Sequence, residues 1–139
     1  MIYPVVVHHD DGSAYGVTVP DFIRDDIGGC FSAGDTFAEA LDNTKEAIQC
    51  ILEILVEDNK DIPQGSNIEH YLDNEEYQDG IWALVDIDIT PYLGVSKKIN
   101  VTLPDGLIAR IDNEVSENKK FSNRSNFLAI AAQKLLSLA

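Results

Sequence analysis

Residues Lys98–Leu103 alternate polar and apolar without exception, and Pro104 ends the run. Successive strand side chains face opposite sides, so Ile99, Val101 and Leu103 share one face while Lys98, Asn100 and Thr102 share the other. No second strand pattern lies near it in the remaining chain. Instead, Leu107, Ile108, Ile111 and Val115 recur at helical spacing, which predicts a helix from about Asp105 to Glu117 with these residues inward. Asn118–Phe121 reads as a turn, and Ser122 is a good N-cap for a second helix, Asn123 to about Leu138. That helix is apolar on most sides through Phe127, Leu128, Ile130, Ala131, Ala132, Leu135 and Leu136. A helix apolar nearly all round must be buried on more than one side. One strand and two helices within residues 96–139 are too little chain to bury it alone. The segment is therefore expected to pair with a second copy of itself.

The region ahead of this segment has a different pattern. Tyr3–His9 reads as a strand, its β-branched centre Val5-Val6-Val7 followed by turn chemistry at Asp10–Ser13. Ala14–Val19 alternates up to Pro20 and completes a hairpin. A short strand, Cys30–Ala33, follows Gly28-Gly29. Thr36 and Glu39 have capping-box spacing. Phe37, Leu41, Thr44, Ile48, Ile51, Leu52 and Leu55 then recur as one stripe of a long helix that fades near Asp58. The acidic stretch Glu69–Asp79 reads as a solvated loop with a short turn at Glu69–Leu72. Ile81–Ile89 reads as another strand, and Thr90–Gly94 as a linker. The order β-β-β-α-β predicts an α+β layer with one helix on a small sheet, with Phe31, Phe37 and Trp82 filling the space between them.

Charge divides at the same place. Residues 1–95 hold three basic residues against twenty acidic ones, a net of −17, whereas residues 96–139 hold seven against four, a net of +3, within a whole-chain charge of −14. A basic protein would be steered toward the first part, and a phosphate backbone would be repelled by it. The second part tolerates nucleic acid. Two modules with different partners are expected, spanning about residues 1–93 and 97–139.

Other features exclude more than they assign. No apolar run reaches the roughly 18–20 residues that span a bilayer. The N-terminus lacks a basic n-region and turns acidic early, so the chain is expected in the cytoplasm with no membrane partner. Cys30 and Cys50 have no metal-ligand spacing and are expected to be reduced and buried. His8 and His9 point to opposite faces of a strand and do not close on one ion. No metal and no cofactor is expected.

The tail pattern, strand–Pro–helix–Ser–helix, resembles the ribbon-helix-helix DNA-binding family over about residues 97–138. The resemblance implies that two chains pair their strands into an antiparallel ribbon laid in the major groove. Carried over by position, Lys98, Asn100 and Thr102 would read base edges, where Lys to guanine and Asn to adenine are sound pairings. Ser122, Asn123, Arg124 and Ser125 would hold a phosphate at the start of the second helix.

The front module carries Tyr3–Val7 (YPVVV), Tyr15–Asp21 (YGVTVPD), Gly29–Thr36 (GCFSAGDT) and Glu39-Ala40-Leu41. This ordered series resembles the HicB antitoxin family, and together with the tail the resemblance covers the chain. It implies a reduced RNase H-like fold that occludes HicA, a small basic mRNA-cleaving toxin, and repression of the shared operon through the DNA-binding homodimer. Pairing of such dimers into tetramers through the front modules stays open.

Two rivals belong to other classes. An active RNase H-like nuclease would use carboxylates around divalent metals, for which Asp10, Asp11, Asp86 and Asp88 are the candidates. With twenty acids in the module, chance pairs are inevitable, and a non-enzyme is expected. A ligand-sensing ribbon-helix-helix transcription factor is the other rival.

Overall fold

The structure, a computed structural model, describes residues 1–138. The chain forms two compact units, Met1–Gly94 and the segment from Val95 onward. The mixed α+β class expected from sequence holds.

In the front unit, β1 (Ile2–His8), β2 (Tyr15–Thr18) and β3 (Phe31–Gly34) precede α1 (Phe37–Glu57), and β4 (Ile81–Asp86) follows it. The sheet order is β3-β2-β1-β4, antiparallel throughout. The hairpin closes where Ser13 donates from its backbone N–H and its hydroxyl to the Asp10 carbonyl, at 3.0 and 2.8 Å. Helix α1 starts at Thr36, whose hydroxyl accepts the Glu39 N–H at 3.1 Å. That satisfies one of the orphan donors of the first turn. Ala40, Thr44, Ile48, Leu52 and Leu55 form its fully buried stripe. They pack on Tyr3, Val5, Val7, Val17, Val19 and Val85, which alternate onto the helix-facing side of the sheet. Gly34 lets β3 approach the helix: a Cβ there would lie 2.4 Å from the Ala40 nitrogen.

The opposite face of the sheet is where the structure departs from expectation. Val6 is paired with Trp82, and Pro4 with Leu84. These residues alternate away from the helix, so Trp82 does not enter the sheet–helix core. It stacks on Tyr71, with centroids 6.2 Å apart and planes 14° apart, and meets the edge of Tyr77 at 5.6 Å. The segment 63–80 is thus a strap across the sheet's second face, not a free acidic loop. Its acids stay exposed while Tyr77 is buried. Two 3-10 turns, Ile68–Tyr71 and Glu75–Tyr77, aim the rings inward. Phe31 alternates onto the uncovered part of that face and is 63% exposed, so it too lies outside the core. Phe37 packs against the core as expected.

The last strand stops at Asp86 rather than Ile89. Ile87 still exchanges both backbone hydrogen bonds with Met1, at 2.9 and 3.0 Å. Asp88 then turns the chain by accepting the Thr90 N–H at 3.0 Å. The expected linker contains a one-turn helix, α2 (Thr90–Leu93), and Ile89 and Tyr92 pack on the front-unit core. Both cysteines are free, Cys30 buried but Cys50 exposed on α1, contrary to its expected burial.

In the second unit, α3 (Asp105–Glu117) has the expected bounds and is followed by α4 (Arg124–Leu138). Residues 97–103 form no strand and no helix. The physical reason is plain: a strand is defined by its ladder, and this unit offers a single copy no second strand to pair with. Among the described residues only Ile111 of this unit is buried. The expected cap also moves by one residue. Asn123, not Ser122, accepts the Asn126 N–H at 2.8 Å, while the Asn126 side chain accepts the Ser122 N–H at 3.2 Å. This reciprocal pair does the work of a capping box with amides.

Candidate functional site

The residues singled out by sequence fall on two surfaces of the second unit. Lys98, Asn100 and Thr102 are exposed on the segment ahead of α3, two residues apart in sequence. Two of their three apolar alternates are exposed as well, Ile99 at 76% and Val101 at 58%, while Leu103 is half-buried. The polar row and the apolar row therefore share one unpaired segment. Ser122, Asn123, Arg124 and Ser125 are all exposed around the first turn of α4. Two of them are already engaged. The Asn123 side chain caps the helix, and Arg124 grips Asp112 of α3 through two guanidinium nitrogens, at 3.1 and 2.8 Å. The Arg124 hydrogen bond and charge hold the Asp112 carboxyl below the usual carboxylate range. Arg124 is thus the clasp between the two helices as well as a candidate phosphate ligand. Nearby in sequence, the Lys120 ammonium is pushed down by Lys134, and its Nζ lies over the Phe121 ring, 5.9 Å from the centroid.

The front unit presents a different chemistry. Asp21 ties down the strap, accepting the Ser66 N–H at 2.9 Å and a hydrogen bond from the Tyr71 hydroxyl. Burial first, then the Asp21 carboxylate, push the Tyr71 phenol up to about 12. Tyr3, buried beneath α1 with its hydroxyl on the Pro63 carbonyl at 2.8 Å, is also pushed up to about 12, mainly by burial. These groups stay neutral at physiological pH and build a latch, not a reaction centre. The sequence signal for it was the Tyr71, Tyr77, Trp82 spacing, with Trp82 on the same strand parity as Asp86 and opposite to Val85.

The four carboxylates considered for metal catalysis do not meet. Register places Asp86 opposite Ile2, while Asp10 and Asp11 lie beyond His8 at the far end of the same strand. Six residues of strand separate those ends by roughly 20 Å. Asp88 is occupied in starting α2. Among the described residues no group of three or more His, Cys, Asp or Glu side chains is placed to hold a metal ion. His8 and His9 diverge as expected, His9 stacking on Tyr15 at 3.9 Å.

Residues 3–132 match the family described as HicB_like antitoxin of bacterial toxin-antitoxin system. The chain belongs to that family. A relative of 43% identity covers 99% of both chains, a 14.9 kDa protein from the rep-hol intergenic region of Haemophilus phage HP1. Solved structures agree. The Burkholderia pseudomallei antitoxin HicB is 40% identical over 98% of both chains with a TM-score of 0.60. The antitoxin HicB3 is 31% identical over 96% of both chains with a TM-score of 0.75. A chain from a HicA3 and HicB3 toxin-antitoxin complex is 31% identical, matching 63% of this chain and 99% of its own length with a TM-score of 0.52. This HicB-like chain is accordingly an antitoxin of a toxin–antitoxin system. Among its described residues, no helix is long and apolar enough to cross a membrane.

Proposed function

We propose that this HicB-like antitoxin acts in the cytoplasm with two separable activities. Its front domain, residues 1–93, binds and occludes a small basic HicA-like ribonuclease. Its tail, residues 97–139, forms a ribbon-helix-helix homodimer that represses the operon. The observation that carries this reading is a coincidence of boundaries. The charge changes from −17 to +3 at the point where the chain divides into two compact units. A strongly acidic body suits a basic protein partner and repels DNA, whereas the tail suits the reverse.

The unfilled chemistry of the tail supports pairing. Leu135 and Leu136 are each 71% exposed, and the alternating segment has apolar residues with nothing to cover them. A second copy would supply both the ladder for residues 98–103 and the cover for α4. Lys98, Asn100 and Thr102 then face the major groove, and the Ser122–Ser125 turn meets the phosphates. The mechanism assigned to this chain is stoichiometric occlusion, with no reaction step of its own.

Co-expression with the small basic protein encoded beside it tests the first activity. Rescue of growth and a co-purifying complex are expected, and cell death despite soluble antitoxin refutes it. Gel shifts on the upstream DNA test the second. Equal binding to operator and scrambled DNA would refute sequence-specific repression.

A further inference from the structure

The two edges of the sheet are finished differently. At the β3 edge, Asn43 of α1 donates its side-chain amide to the Ala33 carbonyl at 2.8 Å, which blunts that strand. At the β4 edge nothing comparable occurs. Met1 and Ile87 exchange both backbone bonds, so the same narrow pairing repeats at Tyr3 with Val85, Val5 with Ala83 and Val7 with Ile81. The N–H and C=O groups of Trp82, Leu84 and Asp86 therefore point away from the sheet, and no backbone or side-chain partner among the described residues takes them. Natural edges are protected with Lys, Pro, bulges or a covering loop. Ile81–Asp86 (IWALVD) carries no Lys, no Pro and one acid. Beside this edge runs a groove floored by Ile2, Leu84 and Ile68 and rimmed by Glu69 and Asp86. Ile2 is 51% and Leu84 59% exposed.

We infer that the open β4 edge and this groove are the docking surface for the basic toxin, which adds an extended segment to the sheet at Trp82, Leu84 and Asp86. This deepens the proposed function and rests on it. Main-chain bonds supply the pairing, the groove takes an apolar side chain of the added segment, and the acidic rim takes its flanking Lys or Arg. Charge selects this occupant over a second copy. Two-fold pairing through β4 would bring two bodies of net −17 together, whereas a basic partner gains from the same field.

The test uses the full-length antitoxin and the small basic protein encoded beside it, with affinity measured by calorimetry. Leu84→Lys is compared with Ile54→Lys, a charge-matched change at an exposed position of α1. Leu84→Lys should weaken the complex about 30-fold or more, the size of an interface hot spot, and Ile54→Lys only severalfold. Leu84→Pro, which removes an outward N–H that the native sheet does not use, should weaken it comparably. Circular dichroism confirms that the variants fold. Amide exchange at Trp82, Leu84 and Asp86 should slow when toxin is added to the unsubstituted protein, a readout that needs no variant. If the unsubstituted protein forms no complex, the proposed function itself falls. If it binds but those amides stay unprotected, or the two Lys variants weaken it equally, the docking surface is elsewhere. If Leu84→Lys instead lowers the oligomeric state and leaves toxin affinity unchanged, the edge joins antitoxin copies and the inference is wrong.

Discussion

Tyr71 shows how one side chain can hold a whole segment in place. Its ring covers Trp82 and its hydroxyl donates to Asp21, which also holds the Ser66 N–H. Tyr71→Phe keeps the ring and removes a hydrogen bond to a charged acceptor, so about 1–2 kcal/mol of stability should be lost at this partly exposed site. Urea melts of the two proteins measure it. The same latch predicts an alkaline limit. Tyr3 and Tyr71 have folded values raised to about 12 against an ordinary 10.0. A raised value means the folded state favours the protonated phenol, so the stabilisation is complete below pH 10 and is lost as pH rises toward 12. For the fully buried Tyr3 alone, two pKa units correspond to roughly 2–3 kcal/mol. Thermal melts from pH 9 to 12 should therefore fall steeply over that window, and a flat profile contradicts the buried phenols. Trp82 was expected in the sheet–helix core, although its strand parity sets it opposite Val6 on the other face, and its cover was not legible either. The aromatic anchors sit in a strongly acidic stretch whose average character is that of solvated chain.

At the scale of elements, helices were the most legible part. The bounds of α1 and α3 follow from side-chain spacing, because an α-helix makes its backbone bonds internally and its signal is local. The segment Lys98–Leu103 has an equally clean local pattern, yet it is not a strand in one chain. Sheet formation needs a partner strand, and on the proposed reading a second copy of the tail supplies it. The cap of α4 moved from Ser122 to Asn123, whose side chain accepts the Asn126 N–H while the Asn126 side chain takes up the Ser122 N–H. The clasp between α3 and α4 gives a prediction that belongs to this scale. Asp112 holds Arg124 by two hydrogen bonds. Asp112→Ala releases the guanidinium and removes one negative charge per copy from the tail, which the proposed function sets against DNA. Affinity for scrambled DNA should rise, and its salt dependence should steepen by about one phosphate contact per copy. Gel shifts at two salt concentrations decide it, and unchanged affinity would mean Arg124 lies away from the phosphates. Asn100→Ala should act differently, reducing operator preference by about 1–3 kcal/mol per half-site while leaving melting unchanged within about 0.5 kcal/mol.

For the whole molecule, the two units differ in what each can achieve alone. Met1–Gly94 has a closed sheet–helix core in which Tyr3, Val5, Ile48, Leu52 and Ile87 are fully buried. Among its described residues the second unit buries only Ile111, and the half-buried Phe127 meets the edge of Phe121 at 4.8 Å. Cutting the chain after Gly94 should therefore leave a folded front domain that melts cooperatively and at a temperature independent of its concentration. That fragment should still neutralise the toxin, because the acids and the open sheet edge all lie within it. Its complex should weaken as salt rises, since exposed charges more than about 8–10 Å apart are screened at physiological ionic strength. The tail should behave in the opposite way. If its stability comes from a shared core, its melting temperature must rise with protomer concentration. Phe127→Ala should then lower the dimer's stability by several kcal/mol, within the roughly 3–5 kcal/mol range of buried Phe truncations. Sedimentation and melting of the isolated tail at two concentrations separate the cases. A tail that melts as a stable monomer, at one temperature whatever its concentration, would mean that α4 finds its cover elsewhere, and the dimeric reading head would have no basis.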